Sequence, residues 1–96
     1  MHVAMAYLII EMPEIHSLKE KRSVIRPIIK RVGSKFNVSI AEIDNLDSWQ
    51  VSGVGLACVS NSQRHAEEMM QTIVDFIERN LNAGYVAEIQ TDVAKY

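Results

Sequence analysis

The sequence contains one cysteine, two prolines and four glycines among 96 residues, and each scarcity excludes a class of protein. Cys58 has no partner for an internal disulfide, whereas small secreted domains usually carry several. We therefore expect a cytoplasmic protein. The low content of proline and glycine, together with 48% hydrophobic residues, excludes a low-complexity or globally disordered chain.

Long hydrophobic runs are also lacking. No run approaches the ~20 apolar residues that a membrane-spanning helix requires. The apolar segment 3–12 contains Glu11, has no preceding lysine or arginine, and leads into Pro13-Glu14 rather than a cleavage site of small residues. We interpret it as a strand rather than a signal peptide, and we expect a single domain over residues 1–96 with no membrane partner.

Six segments have the patterns of helices and strands. A first helix follows the capping box Ser17-Leu18-Lys19-Glu20, and its apolar stripe continues to Phe36. Pro27 lies inside this helix and should bend it, because proline removes one backbone hydrogen bond. A second helix is predicted between the cap candidate Ser62 and the turn 82–84, which contains a glycine. Strands are predicted over residues 2–12, 37–43, 49–60 and 85–94.

The order strand, helix, strand, strand, helix, strand is that of ferredoxin-like proteins. Right-handed crossovers place both helices on one face of an antiparallel sheet ordered 4-1-3-2. The sequence therefore predicts an α+β, ferredoxin-like βαββαβ sandwich. We further expect the two central strands, 1 and 3, to run parallel, which would bring the first turns of both helices to the same end of the sheet.

One face of such a sheet carries no helices, and its centre is predicted to be apolar. A monomer should instead show polar residues there, so a contiguous apolar patch indicates association. The alternative is a β-rich surface with some exposed valines. Only Tyr7 offers an aromatic ring on this face, which disfavours the base stacking of RRM-type RNA readers. We predict a homo-oligomer formed through Val3, Met5, Tyr7, Ile9, Val51 and Ala57.

Basic residues are concentrated in the first helix. Seven of the ten lie between Lys19 and Lys35 with only Glu20 among them, so this stretch carries +6 and the rest of the chain −8. Helical spacing places four of them on one stripe opposite the apolar side. Such a stripe can bind the phosphates of a nucleic-acid backbone, and the alternative is a solvated helix face. The predicted nucleic-acid-binding residues are Lys19, Arg22, Arg26 and Lys30.

The two helix N-termini form a second candidate site. Each presents free amides and the positive end of a helix dipole. If both lie at the same end of the sheet, they should hold a phosphate or a small phosphorylated ligand. Ordinary capping beside surface histidines is the alternative. The predicted anion-binding residues are His16, Lys21, Arg64 and His65.

Signatures of catalysis and metal binding are missing. The three histidines lack the close spacing of metal ligands, and one cysteine cannot make a zinc knuckle. No P-loop, G-x-G-x-x-G or G-x-S-x-G motif occurs. We therefore expect a non-enzymatic protein with no catalytic residues, metal or cofactor. An acylphosphatase-like enzyme has the same fold and uses an arginine in its first loop, but its loop signature is absent.

Several segments resemble the YlxP-like family of small bacterial proteins of unassigned function. They are HSLKEKRSVI at 16–25, FNVSIAEI at 36–43, Asp47 with Trp49-Gln50, and Val59-Ser60-Asn61. The resemblance implies a ferredoxin-like fold. It also implies a gene that often neighbours those of translation initiation and ribosome maturation, which points to RNA or the ribosome as partner. The family supplies no catalytic residues.

Three functional hypotheses follow. The first is a non-enzymatic protein that binds RNA or the ribosome, in translation or ribosome maturation, through its basic first helix. The second is a small sensor of a phosphorylated ligand that uses the helix N-termini. The third is a structural dimer or adaptor module that uses the helix-free sheet face.

Overall fold

The computed structural model describes residues 1–96, and its six elements follow the predicted order. The strand boundaries differ from the predicted ones by at most two residues. The elements are β1 (His2–Glu11), α1 (Leu18–Lys35), β2 (Ser39–Asp44), β3 (Val51–Ser60), α2 (Gln63–Asn80) and β4 (Tyr85–Lys95). Neither helix is long and apolar enough to cross a membrane.

The four strands form one antiparallel sheet in the order β2-β3-β1-β4. This is the predicted 4-1-3-2 order counted from the opposite edge. Alternate residues of β1, from Ala4 to Ile10, are buried, whereas the residues between them are exposed or only partly buried. Both helices therefore cover the same face of the sheet. The ferredoxin-like prediction is confirmed.

The predicted parallel course of strands 1 and 3 is wrong. His2 lies opposite Ser60 and Glu11 lies opposite Val51, so β1 and β3 are antiparallel. The crossover through α1 makes β1 and β2 parallel, and the short connection between β2 and β3 reverses the chain. Because β3 opposes β1, α1 begins at one end of the sheet and α2 begins at the other.

The core lies between the sheet and the two helices and contains 18 buried apolar residues. The strands contribute alternate positions such as Leu8 and Val54, and the helices contribute residues at helical spacing such as Val32 and Ile73. Cys58 belongs to this core, as predicted. Burial raises the pKa of its thiol above the ordinary value, although a backbone hydrogen bond at Ala4 opposes the shift.

The start of α1 has the predicted cap. The Ser17 hydroxyl accepts a hydrogen bond from the Glu20 amide at 3.1 Å. The Glu20 carboxylate accepts from the His16 amide at 3.1 Å, one residue before the amide that the capping-box pattern predicts. Glu20 also places a negative charge in the first turn, where it complements the helix dipole.

Pro27 lies on the exposed side of α1, which continues through it as a single helix. Because proline has no amide hydrogen, the carbonyl of Ser23 lacks its helical donor. The side-chain amide of Asn82, in the connection between α2 and β4, donates to that carbonyl at 3.3 Å. The connection between α2 and β4 thus supplies part of the hydrogen bonding that Pro27 removes from α1.

We expect Pro27→Ala to stabilise the protein, because alanine restores the helical hydrogen bond to Ser23. The gain should be positive and at most about 3 kcal/mol, the difference between proline and alanine inside a helix. Urea denaturation followed by circular dichroism measures it. Asn82→Ala should lower the free energy of unfolding by less in the Pro27→Ala background than in the wild type. An unchanged or lower unfolding midpoint for Pro27→Ala would contradict this account.

Candidate functional site

The cationic stripe predicted on α1 lies on the solvent side of the helix. Lys19, Arg22, Arg26 and Lys30 are all exposed, and none forms a salt bridge or a side-chain hydrogen bond. At 1.5 Å per residue the four positions extend over ~16 Å of the helix. The core side of α1 holds the apolar residues, so the stripe points away from the sheet.

Lys21 was predicted to bind an anion, and the structure contradicts this. Its side chain is 3% exposed, and its ammonium group lies 2.9 Å from a carboxylate oxygen of Glu42. It also donates to the backbone carbonyl of Asn45 at 2.6 Å. The ammonium group is therefore enclosed and already neutralised, and it is not available to a ligand.

The Lys21 ion pair belongs to a small buried network. The hydroxyl of Ser52, which has no exposed surface, donates to the same Glu42 oxygen at 2.7 Å. The network joins the first turns of α1 to β2 and β3. Sequence reasoning missed it because a lysine at a core position of a helix is rare. The available signal was the helical spacing of Lys21 with Val24, Ile25 and Ile28, which places it on the apolar side.

The loop between β2 and β3 is held at the same end of the sheet. Gln50 donates from its side-chain amide to the carbonyls of Pro13 and Ile15, both at 3.0 Å. Two apolar side chains of this loop stay in solvent, since Leu46 is 59% exposed and Trp49 is 52% exposed. The segments that meet here are widely separated in sequence.

The predicted joint anion site at the two helix N-termini does not form. His16 lies beside the first turn of α1, and Arg64 and His65 lie in the first turn of α2. These turns are at opposite ends of the sheet because β1 and β3 are antiparallel. Each helix has 18 residues, so the two ends are on the order of 27 Å apart.

Each helix start is also occupied by its own side chains. The Ser62 hydroxyl caps α2 by accepting from the His65 amide at 3.3 Å. Arg64 forms an exposed salt bridge with Glu68 at 3.0 Å, a kind of pair that adds little stability. At α1 the Ser17 hydroxyl accepts from the Glu20 amide, and the Glu20 carboxylate accepts from the His16 amide just before the helix. Neither end is an open anion site.

The last turns of α1 combine cations with aromatic rings. The Arg31 guanidinium lies 5.3 Å from the centre of the Phe76 ring, and Lys35 lies 5.5 Å from the same centre. Phe36 and Phe76 meet edge to face at 5.4 Å. Arg31 also donates to the Asn80 side chain at 3.1 Å. These two cations are exposed, but they interact with α2.

The face of the sheet without helices, here called the open face, contains all six residues predicted for association. Alternation and register place Val3, Met5, Tyr7 and Ile9 of β1 there, next to Val51 and Ala57 of β3. Larger exposed neighbours extend the patch: Val59 is 58% exposed and Ile43 is 51% exposed. The apolar character of this surface is confirmed, whereas self-association stays a prediction.

Two glycines of β3 make room for side chains that lie across the open face. A Cβ atom on Gly53 would approach the Tyr7 hydroxyl and the Asp44 Cβ to 2.7 Å each. A Cβ atom on Gly55 would approach Ile43 to 2.9 Å. The Tyr7 ring thus lies across β3 and its hydroxyl donates to the Asp44 carboxylate at 2.8 Å. Because Gly53 and Gly55 have no side chains, Tyr7 and Ile43 have room to lie there.

Carboxylates surround this apolar centre. The hydrogen bond to Asp44 raises the pKa of the Tyr7 phenol, and the charges of Asp44 and Glu88 act in the same direction. Register places Glu88 opposite Ile9 and Asp92 opposite Met5, while Glu11 is at the end of β1. No lysine or arginine occupies a position on this face. The open face is therefore apolar and acidic.

A groove of about 460 Å³ lies between α2 and the edge strand β4. Its apolar lining includes Met70, Val74 and Ile89, and Met5 and Asp92, at the edge of the open face, also line it together with Glu67. No group of three histidine, cysteine, aspartate or glutamate side chains in the chain is arranged to hold a metal ion. The groove presents carboxylates and amides, and no basic side chain lines it.

Residues 3–90 match the family described as protein of unknown function (DUF503). The uncharacterized protein YlxP of Bacillus subtilis (strain 168) is 48% identical over 62 residues, which cover 65% of this chain and 67% of YlxP. A de novo designed protein with a ferredoxin fold, solved by solution NMR, superimposes with a TM-score of 0.53 at 16% identity. That alignment covers 100% of this chain and 87% of the designed protein, and it concerns the fold alone.

The buried network predicts an asymmetry between its two charges. Glu42→Gln leaves the Lys21 ammonium group enclosed without a counter-charge and should cost about 3 kcal/mol. Lys21→Met should cost less, because the Glu42 side chain is 20% exposed and keeps contact with water. The double variant should be more stable than the sum of the two losses implies. Urea denaturation of the three variants tests this, and additive losses or a larger cost for Lys21→Met would contradict it.

The close packing at Gly53 predicts that Gly53→Ala destabilises the protein. Overpacking against Tyr7 and Asp44 should cost about 1–3 kcal/mol, and Tyr7→Ala should recover part of the loss. Gly33 in α1 is the matched control, since a Cβ there meets nothing within 4 Å. Gly33→Ala should stabilise the helix by up to about 1 kcal/mol. Equal thermal midpoints for the two alanine variants would refute the packing described.

Proposed function

The chain belongs to the DUF503 family of proteins of unknown function, and we propose that it acts there as a non-enzymatic, cytoplasmic RNA-binding protein whose binding surface is the outer side of α1. The proposal concerns the phosphate backbone of RNA, free or within the ribosome. It assigns the chain a binding role and no catalytic step.

One observation carries the proposal. Four cations occupy a single exposed stripe of one helix, and no acidic side chain pairs with any of them. On an ordinary solvated helix, acidic residues three or four positions away would be expected among them. The only acid near the stripe is Glu20, and its carboxylate bonds the His16 amide. Positive charge is left free for a polyanion.

The spacing of the stripe suits a phosphate backbone. Residues three and four apart on a helix are about 5–6 Å apart at Cβ, and long flexible side chains widen their reach. Successive cations such as Arg22, Arg26 and Lys30 can each meet a different phosphate. Lys21 takes no part because Glu42 neutralises it.

The sheet supports backbone binding rather than base recognition. Tyr7 is the only aromatic residue at the centre of the open face, and its hydroxyl is bonded to Asp44. The carboxylates on this face would repel a nucleic acid. Binding should therefore depend little on sequence, because phosphate contacts position a nucleic acid without specifying it.

The gene neighbourhood implied by the family resemblance supports a role in translation or ribosome maturation. Both processes involve ribosomal RNA, and a cationic helix that contacts phosphates without reading bases suits its folded backbone. A phosphorylated-ligand sensor at paired helix N-termini is not proposed, since the two N-termini are at opposite ends of the sheet.

The affinity for single-stranded RNA should be mainly electrostatic. With three or four phosphate contacts, the logarithm of the binding constant should fall with the logarithm of salt concentration with a slope of about −2 to −3. Fluorescence anisotropy of labelled oligo(U) and oligo(A) across a potassium chloride series measures it. Arg22→Glu/Arg26→Glu should weaken binding to both RNAs by roughly tenfold or more and flatten the slope.

Arg64→Glu/Arg79→Glu is the matched control, because it makes the same change in net charge on α2. It should alter affinity much less, and circular dichroism should show that both variants fold. If the two double variants bind alike, or if Arg22→Glu/Arg26→Glu keeps the wild-type affinity, the stripe is a solvated face and the proposal fails.

A further inference from the structure

The open face combines an apolar centre with charged residues that are all acidic. Its centre is apolar, with Met5, Ile43 and Val59 more than one-third exposed. Large apolar patches rimmed by polar groups mark association surfaces. Its charged residues are all acidic, and lysine and arginine are absent from it. The occupant should therefore be apolar at the centre and basic at its margins.

The carboxylates are arranged along the two sides of the apolar centre. Glu88 and Asp92 follow the β4 side, opposite Ile9 and Met5 of β1. Asp44 lies on the β2 side, where it receives the Tyr7 hydroxyl. Lysines or arginines on both sides of an occupant's apolar stripe could therefore pair with these carboxylates.

The size of the apolar centre suits one α-helix. From Val3 to Ile9 the strand extends ~20 Å, and the central strands with their flanks form a band ~10 Å wide. A helix is ~10 Å in diameter and needs about 13 residues to cover 20 Å. Because Gly53 and Gly55 have no side chains, Tyr7 and Ile43 can lie across β3 within this band.

A second copy of this chain does not provide such an occupant. The open face of a second copy carries the same carboxylates and no lysine or arginine, so its margins offer no basic partner to Glu88, Asp92 and Asp44. The outer side of α1 has the required charge but presents no apolar stripe. The outer side of α2 is acidic, with Glu67, Glu68, Asp75 and Glu78 exposed.

We propose that the open face binds an amphipathic α-helix of another protein, whose apolar stripe covers the centre and whose lysines or arginines pair with Glu88, Asp92 and Asp44. The surface is on the opposite side of the molecule from the cationic stripe of α1. The chain can then hold RNA and a basic helix at the same time. This inference does not depend on RNA binding.

Two designed peptides test the proposal on the full chain. Each is a helix of about 18 residues, five turns, with the same leucine and alanine stripe, flanked by lysines in one peptide and by glutamates in the other. Fluorescence anisotropy gives the two affinities, and ¹H–¹⁵N NMR shifts locate the bound peptide. The lysine peptide should bind at least about tenfold more tightly, with shifts confined to the open face.

Charge reversal on the face is the decisive variant. Glu88→Lys/Asp92→Lys should reverse the preference, so that the glutamate peptide binds more tightly. Glu67→Lys/Glu78→Lys makes the same charge change on α2 and should leave the wild-type preference in place. Met5→Glu should weaken both peptides, because it puts a charge in the apolar centre.

Three results would overturn the proposal. One is a preference that ignores Glu88 and Asp92. Another is a set of NMR shifts centred on Met70 and Val74 of α2, with none at Tyr7, Ile43 or Val59 of the open face. The third is a wild-type dimer in sedimentation equilibrium that Met5→Glu converts to monomer, since a second copy would then occupy the face.

Discussion

The antiparallel pairing of the two central strands is the constraint on which the rest of the molecule depends. Each residue of β1 from His2 to Glu11 has a partner in β3. This pairing sends the two crossover helices in opposite senses, and so it separates their N-termini by the length of the sheet. It also sets which side chains share the open face. If β1 and β3 were parallel, the N-termini of α1 and α2 would lie at the same end of the sheet.

The ion pair between Lys21 and Glu42 fastens α1 to the sheet. The pair joins α1 to β2, and Ser52 of β3 completes it. An enclosed charge of this kind adds little net stability relative to apolar packing, but breaking one partner is costly. It therefore disfavours alternative placements of α1 on the sheet. The segments that carry the family resemblance contribute both charges, and Gln50 from a third such segment holds the neighbouring loop.

Two surfaces of the molecule differ in charge, the outer side of α1 and the open face. The outer side of α1 presents the unpaired cations Lys19, Arg22, Arg26 and Lys30, whereas the open face presents an apolar centre with carboxylates. A formal net charge of −2 hides this difference. The two surfaces suit partners of opposite chemistry, an RNA backbone on one and a basic amphipathic helix on the other.

Local patterns in the sequence determined the elements and much of the surface. The capping box at Ser17, the two-residue alternation of β1 and the helical spacing of the cationic stripe depend only on neighbours along the chain, so they could be predicted correctly. The shared anion site failed because strands 1 and 3 are neighbours in the predicted antiparallel sheet and therefore cannot run parallel. The predicted sheet itself places the starts of α1 and α2 at opposite ends. Only the tertiary structure decided that Lys21 meets Glu42 and that Gly53 receives the Tyr7 ring, because those contacts join segments 21 and 46 residues apart in sequence.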